Sequence, residues 1–254
     1  MLKRCPEGAE HNCFYQKHPS RGLPPPVHHV LVEEKHGPKQ QLMITDLEGL
    51  LALIQIGTLE IHSWGCRAQH PECPDQLVFD IDPDVDLDWA RVVEAAQRIH
   101  VGLGVLGLTG FVKTTGGKGL HVVVPILPVT PWEDARRFTK SVVDTLVRAE
   151  PEKYLATSSK RRRAGKVFLD DLRNVRGATS IAPFSTRARP GAPVSTPLAW
   201  EELTAALRPE SFTLESLPAR LDALGKDPWQ GFEAARAQLP LKLGAPAEKS
   251  QRKG

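Results

Sequence analysis

The chain has 254 residues, of which 41% are hydrophobic, and its formal net charge is +3, so it is long enough to fold unaided around one sizeable core. The longest apolar run, residues 47–56, is about half the length that a bilayer requires, and no membrane span is predicted. Because no apolar segment follows the basic N-terminal residues, nothing directs export, and we expect a cytoplasmic protein.

Apolar residues recur with both strand and helix periods along the chain. Strands are predicted at 28–34, 41–45, 59–64, 77–82, 111–115, 120–126, 166–171 and 179–184, the first two as a hairpin. Helices are predicted at 46–56, 89–106, 131–149, 199–206, 215–224 and 230–238. Since the two types are mixed rather than strictly alternating, we expect one α+β domain over residues 1–240, followed by a disordered basic tail at 241–254.

Four cysteines, Cys5, Cys13, Cys66 and Cys73, lie near several histidines, a composition that also occurs in zinc sites. Seven and six residues separate the members of the two pairs, which is wider than the spacing of compact zinc sites. In a reducing compartment we therefore expect four unpaired thiols.

Charge is distributed unevenly along the sequence. Residues 72–88 contain seven Asp or Glu and no Lys or Arg, whereas residues 153–189 contain ten Lys or Arg and only two acids. A carboxylate cluster and a basic field in one domain suit a polyanion that is bound beside a divalent metal ion.

The segment QLVFDIDPDVDLD has an aspartate at every second position of its latter part. Residues two apart in a strand point to the same face, so Asp80 and Asp82 project together. Neighbouring carboxylates repel each other unless a cation lies between them, and Mg²⁺ and Mn²⁺ prefer oxygen ligands. We therefore predict that this pair binds metal. The later Asp84, Asp86 and Asp88 are expected to cap the following helix.

A glycine turn separates two predicted strands in KTTGGKGLHVVVP, with Thr115, Lys118 and His121 beside it. Glycines let main-chain amides approach phosphate oxygens, and the lysine supplies a positive charge, which indicates a triphosphate-binding loop. The segment is not a Walker A motif, and a plain hairpin turn is the alternative. Residues 102–107 match the dinucleotide pattern G-x-G-x-x-G but lie at a helix end, so we predict no such site there.

The segment SKRRRAGKVFLDDLRN joins a basic run to a strand that ends in carboxylates. Asp170 follows the apolar KVFL and is our choice over Asp171 as a third metal ligand. Arg187 and Arg189 of STRAR can bind phosphates bidentately. Taken alone, the basic run at 160–163 is more typical of a solvated face.

Together, FDIDPD, TTGGKGLHVVVP, KVFLDDLRN and TSIAPFSTRARPGAPVSTPLAWEEL have an order and spacing that resemble the polymerase domain of bacterial DNA ligase D, in the archaeo-eukaryotic primase superfamily. CPEGAEHNCFYQKH belongs to the same pattern, and the resemblance covers roughly residues 4–230. It implies a primase-polymerase core with an RRM-like mixed or antiparallel sheet flanked by helices.

The resemblance also implies a nucleotidyl transferase that acts at the nucleoid on DNA 3′ overhangs and gaps, in non-homologous end joining with Ku and a ligase module. Two Mn²⁺ or Mg²⁺ ions would be held by Asp80, Asp82 and Asp170. The incoming NTP or dNTP, with ribonucleotides preferred, would contact His62, Thr115, Lys118, His121, Asn174, Arg187 and Arg189. DNA would contact Phe14 and Tyr15 by stacking and Lys17 through its backbone.

Two alternatives remain open: a primase that starts chains without a primer, and a catalytically silent module that binds DNA ends. A nick-sealing lysine followed by Asp-Gly is absent from the sequence, so we expect no ligase activity. In the family, several dozen residues that help to grip a downstream 5′-phosphate precede the CPEG segment. The chain lacks them before Arg4, so we expect weaker dependence on that phosphate.

Overall fold

A computed structural model describes residues 1–34, 36–157 and 159–240, and the tail predicted at 241–254 lies outside these residues. The described part is a mixture of helices with antiparallel and mixed sheets, which confirms the predicted α+β class. None of its helices combines the length and the apolar character needed to cross a membrane.

The strands are β1 (Leu2–Arg4), β2 (Phe14–Gln16), β3 (His28–Glu34), β4 (Gly37–Met43), β5 (Thr58–Ser63), β6 (Gln76–Pro83), β7 (Phe111–Thr114), β8 (Leu120–Pro125), β9 (Tyr154–Leu155), β10 (Val167–Asp170), β11 (Ser180–Ile181) and β12 (Pro197–Leu198). The α-helices are α1 (Leu47–Gln55), α2 (Trp89–Val105), α3 (Trp132–Ala149) and α4 (Leu217–Ala223). Short 3₁₀ helices occupy Lys160–Arg162, Leu172–Asn174, Trp200–Glu202 and Pro209–Ser211.

The larger sheet has six strands in the order β12-β7-β8-β6-β10-β9, all antiparallel except the parallel pair of β9 and β10. Alternate residues of the central strand β6, namely Leu77, Phe79 and Ile81, pack in one core with apolar residues of α2 and α3. Because strand side chains alternate, Asp80 and Asp82 point to the opposite face of the sheet. The helices thus cover one face, and the carboxylates lie on the other.

A smaller sheet has the order β11-β5-β1-β2, and β3 and β4 form a separate hairpin, as predicted. Helix α1 packs Ala52 and Leu53 against Leu2 and Val27 in a second, smaller core. Strands β1 and β2 were not predicted from the sequence, because three residues are too few to establish a period.

Aspartates cap two of the helices, and those that were expected to cap α2 divide in role. Asp46 caps α1 and accepts a hydrogen bond from Gly49 N at 2.8 Å, and Asp88 caps α2. The prediction for Asp84 is wrong, because its carboxylate accepts from Gly165 N at 3.0 Å and ties β6 to the loop before β10. The glycine-rich residues 102–107 lie at the end of α2, as expected.

The C-terminal third is less helical than its sequence periodicity predicts. α4 confirms the helix expected near 215–224, but 199–206 contains only a short 3₁₀ helix and 230–238 contains no helix. Tertiary contacts explain the difference: the indoles of Trp200 and Trp229 donate to the main-chain oxygens of Gly110 and Val112 at 2.8 and 3.0 Å. These bonds hold the chain in turns against β7.

The expectation of four unpaired thiols is wrong, because Cys5 and Cys13 form a disulfide while Cys66 and Cys73 are free. The pairing of β1 with β2 explains this bond: Arg4 lies opposite Phe14, so the next residue of each strand faces the other, with the Cα atoms 4.4 Å apart. The disulfide therefore closes the end of a two-stranded ribbon of only three residue pairs.

Breaking this bond should destabilise the protein, because the unfolded chain loses a covalent constraint. We expect Cys13→Ser, which leaves the buried Cys5 in place, to lower the free energy of unfolding by about 2 kcal/mol in non-reducing urea denaturation. Cys73→Ser, which removes a free thiol, is the matched control and should change little. Equal unfolding midpoints for the wild type with and without a reductant would contradict the prediction.

Candidate active site

Four polar side chains form a row across adjacent strands of the larger sheet. Register pairs Lys113 of β7 with His121 of β8, and His121 with Asp80 of β6. It also pairs Asp80 with Asp170 of β10. Lys113, His121 and Asp80 are buried, at 2%, 3% and 8% exposure, so their charges interact with little screening by water.

Asp80 is the best compensated carboxylate of this row. Its Oδ2 accepts a hydrogen bond from Arg173 Nε at 2.9 Å, and His121 Nε2 lies 3.5 Å from its Oδ1. Burial raises the pKa of Asp80, but His121 and Arg173 outweigh burial and lower that pKa below its usual range. Burial and the charge of Lys113 lower the pKa of His121 to about 4, so the imidazole is neutral at neutral pH.

Asp82 lies one pleat further along β6 and is more exposed than Asp80. Its Oδ2 accepts from Arg163 at 2.8 Å, and Lys118 Nζ lies 3.7 Å from its Oδ1. Burial, followed by repulsion from Asp80, raises the pKa of Asp170 despite a hydrogen bond from Leu172 N. Three carboxylates therefore face the same side of two adjacent strands.

The donor chemistry of Asp80, Asp82 and Asp170 fits Mn²⁺ or Mg²⁺, because all three supply oxygen ligands. The pKa of Asp170 is raised first by burial and then by repulsion from Asp80, and a bound cation would favour the charged form against both effects. In the side-chain arrangement of residues 1–34, 36–157 and 159–240, no group of three or more His, Cys, Asp or Glu is placed to hold a metal ion. Asp80 and Asp82 are turned towards arginines instead.

The glycine loop between β7 and β8 packs directly against two of the predicted arginines. Gly116 has φ +64°, and a Cβ atom there would lie 2.6 Å from Arg187 Cγ. A Cβ on Gly117 would lie 2.9 Å from a guanidinium nitrogen of Arg189. Arg187 also donates to the main-chain oxygen of Thr115 at 2.9 Å. At Gly116 the positive φ and the close contacts require glycine, and the loop and both arginines pack together as one cationic cluster.

The smaller sheet brings Tyr15, one of the three predicted DNA-contacting residues, next to His62. The rings of Tyr15 on β2 and His62 on β5 are 6.2 Å apart. Phe14 and Tyr15 are 48% and 59% exposed, so both rings are accessible for stacking. Lys17, the residue after β2, forms an ion pair with Glu34 of β3 at 3.1 Å.

Asn174 is placed differently from the prediction that it contacts the nucleotide. It is 1% exposed, and its amide exchanges two 2.8 Å hydrogen bonds with the main chain of Val78. Those bonds fasten the 3₁₀ helix Leu172–Asn174 to β6 and use both ends of the amide. We therefore omit Asn174 from the proposed nucleotide contacts.

Sequence reasoning missed several residues of this site, among them Lys113, Arg163, Arg173 and Glu60. Arg163 lies in the run that was interpreted as a solvated face, and Lys113 lies two residues before Thr115 in the glycine-loop motif. The alternation of β7 was the available signal for Lys113, because it places this lysine on the face that carries the carboxylates.

Lys113 is a buried cation whose Nζ donates to one neutral partner, Ser195 Oγ, at 2.6 Å. Burial lowers its pKa from 10.5 to about 7, with the charge of Arg187 acting in the same direction and that of Asp80 opposing. Between these two values the unfolded chain binds more protons than the folded one. The stability contributed by this site therefore rises with pH across that window.

We expect Lys113→Met to flatten the pH dependence of the free energy of unfolding between about pH 7 and about pH 9. The measurement is urea denaturation at three pH values in that window, compared with wild type. Lys226→Met, at an exposed lysine, is the control and should follow the wild-type slope. Parallel slopes for all three proteins would show that Lys113 titrates normally.

Comparison with known proteins supplies the family. A family model described as the LigD primase-polymerase domain matches residues 1–229. The multifunctional non-homologous end joining protein LigD of Pseudomonas aeruginosa is 39% identical over 239 residues, which are 94% of this chain and 28% of that protein. The bifunctional non-homologous end joining protein LigD of Bacillus subtilis is 29% identical over 87% of this chain and 36% of its own length.

Among solved structures, the polymerase domain from Mycobacterium tuberculosis ligase D in complex with DNA is similar, with a TM-score of 0.85 and 29% identity. That match covers 92% of this chain and 84% of the other. The chain spans only about 28% to 36% of the length of the curated relatives named above. It belongs to the family of LigD primase-polymerase domains.

Proposed function

We propose that this chain is a metal-dependent nucleotidyl transferase that extends DNA 3′ ends and fills gaps in non-homologous end joining. The observation that carries the proposal is the strand register that brings Asp80, Asp82 and Asp170 to one face beside the cationic glycine loop. The names of the relatives support the repair pathway, and the DNA complex of the structural neighbour supports DNA as the substrate. Ribonucleotides are the preferred substrates, and Ku and a separate ligase activity are the partners.

Asp80, Asp82 and Asp170 would hold two Mn²⁺ or Mg²⁺ ions, which when bound lower the pKa of the 3′-hydroxyl and neutralise the triphosphate. His121 lies 3.5 Å from Asp80 and is neutral at neutral pH, so at that pH the positive charge next to the carboxylate comes from Arg173. Arg173 balances part of the negative charge when the site contains no metal.

The triphosphate would bind where the glycine loop meets the arginines. Lys118, Arg187 and Arg189 supply positive charge, and the glycines let main-chain amides approach the phosphate oxygens. His62 lies on the neighbouring sheet, within 6.2 Å of the Tyr15 ring by centroid distance, so the nucleotide and the DNA end would meet between the two sheets. Phe14 and Tyr15 would stack on exposed bases, each for about 1 to 3 kcal/mol.

Removing a carboxylate should abolish nucleotide addition. We expect Asp82→Ala and Asp80→Ala to lose primer extension at every Mn²⁺ concentration in a titration, because the metal ligands are then incomplete. Asp82→Ala should keep its thermal stability, since that side chain is only partly buried. Asp144→Ala, on the exposed side of α3, is the matched control and should extend primers like wild type.

Each alternative has a distinct outcome in the same assay. Extension by either aspartate variant would reject the metal assignment. Synthesis on a template without a primer would favour the primase. DNA binding without extension by the wild type, at any Mn²⁺ or Mg²⁺ concentration, would favour a silent end-binding module.

Nucleotide and DNA contacts should be separable by mutation. We expect Lys118→Ala and Arg189→Ala to weaken nucleotide binding by on the order of tenfold while changing DNA affinity little. Phe14→Ala and Tyr15→Ala should do the reverse, because stacking on bases supplies their contribution. The measurements are calorimetry with nucleotide and Mn²⁺, and anisotropy of a labelled DNA overhang. Equal losses in both assays for the cationic variants would assign them to a general basic field.

A further inference from the structure

Glu60 is a buried carboxylate beneath the proposed nucleotide contacts, and the function described so far gives it no part. Its residue exposure is 1%, which is rare for an acid unless cations and donors surround it. His62 Nε2 lies 2.8 Å from its Oε2, and Ala188 N donates to its Oε1 at 3.0 Å. Arg187 Nε lies 3.1 Å from Oε2, and Lys3 Nζ donates to Oε1 at 3.4 Å.

These partners keep the carboxylate charged. Burial by itself raises the pKa of Glu60, but His62, the amide of Ala188 and the charge of Arg187 outweigh burial and lower the pKa to about 2. An anion at this depth attracts the donors around it strongly, because little water screens the interaction. His62 and the amide of Ala188 each form a hydrogen bond with one carboxylate oxygen, which fixes the direction of the imidazole, whereas Arg187 is held by the charge of Oε2 at 3.1 Å without a hydrogen bond from its Nε.

Glu60 also connects the two sheets. It lies on β5 two residues before His62, on the same face of the strand. Arg187, its partner from the loop after β11, donates to the main-chain oxygen of Thr115 in the glycine loop. Glu60 therefore contacts both His62 of the smaller sheet and Arg187, which is hydrogen-bonded to the glycine loop of the larger sheet.

We propose that Glu60 is a positioning residue for the nucleotide, holding His62 and Arg187 in the orientation in which both meet the triphosphate. The inference rests on the proposed function, which makes the nucleotide the common ligand of His62 and Arg187. Without the carboxylate, the guanidinium keeps its bond to Thr115 but loses the anion beside it, and the imidazole loses its only side-chain partner among the described hydrogen bonds.

The test is Glu60→Gln, which preserves the shape of the side chain but replaces the anion with an amide. We expect nucleotide affinity, measured by calorimetry with Mn²⁺, to fall by on the order of tenfold, and the KM for nucleotide to rise in parallel. The kcat at saturating nucleotide and the affinity for a DNA overhang should each change by less than about threefold. Glu60→Asp, which keeps the charge at a shorter reach, should recover part of the affinity.

Glu202→Gln is the matched control. Glu202 also accepts from an arginine, Arg220 at 2.8 Å, and from a main-chain amide, Ala199 N at 2.7 Å, but it lies away from the glycine loop in the sequence and in its contacts. A similar change in thermal stability for both variants, with a loss of nucleotide affinity only for the Glu60 variant, supports positioning. Unchanged nucleotide affinity in Glu60→Gln overturns the inference while leaving the transferase function intact.

The inference and the proposed function fail in distinguishable ways. If the wild type binds nucleotide but extends no primer, the transferase proposal fails, and the nucleotide affinities still decide the role of Glu60. If Glu60→Gln does not fold, Glu60→Asp decides, because full wild-type affinity in that variant would contradict a geometric role. Nonadditive losses in Glu60→Gln combined with His62→Ala would add support, since both changes then remove one interaction.

Discussion

The register of β6 between β8 and β10 is the constraint on which the rest of the site depends. Leu77, Phe79 and Ile81 are at most 1% exposed, and their packing against α2 and α3 leaves only one face for Asp80. A slip by one residue would turn every side chain of the strand to the other face and bury the carboxylates in the apolar core. The free energy of apolar burial therefore determines where the charged residues lie.

A second constraint is charge compensation at depth. Asp80 and Glu60 are buried acids on different sheets, and each has an arginine within 3.1 Å, Arg173 for the first and Arg187 for the second. Burying a carboxylate without a partner would lower the free energy of unfolding by several kcal/mol, so these ion pairs support the fold as well as the site. Lys113 lacks such a partner among the described ion pairs, which is why burial dominates its pKa.

The smaller sheet serves a different purpose from the larger one. Its strands β1 and β2 have three residues each, and a ribbon of that size is marginal by itself. The disulfide at one end, the pairing of β1 with β5 and the guanidinium of Arg4 over Phe14 hold it in place. Two aromatic rings can then remain exposed on a rigid support, and this arrangement suits stacking on a partner that is itself flat.

Much of this arrangement follows from the sequence alone, because the signals are local. The alternation in LVFDID places Asp80 and Asp82 on one face, the glycines of TTGGKG indicate a loop that approaches an anion, and the long motifs together identify the family. The central strands, the hairpin and helices α1 to α3 were predicted near their observed bounds for the same reason. Their hydrophobic periods extend over enough residues to be distinguished from chance.

Only the tertiary structure decided which side chains meet. Arg173 reaches Asp80 across 93 positions of sequence, and Ala188 reaches Glu60 across 128, so no local pattern could pair them. The disulfide between Cys5 and Cys13 depends on two strands that are too short to recognise in the sequence. Trp200 and Trp229 hold turns where helices were expected, through hydrogen bonds to main-chain oxygens of a distant segment. Sequence periodicity reports which face of an element is apolar, whereas partner choice depends on how separate elements pack, and packing is a property of the whole chain.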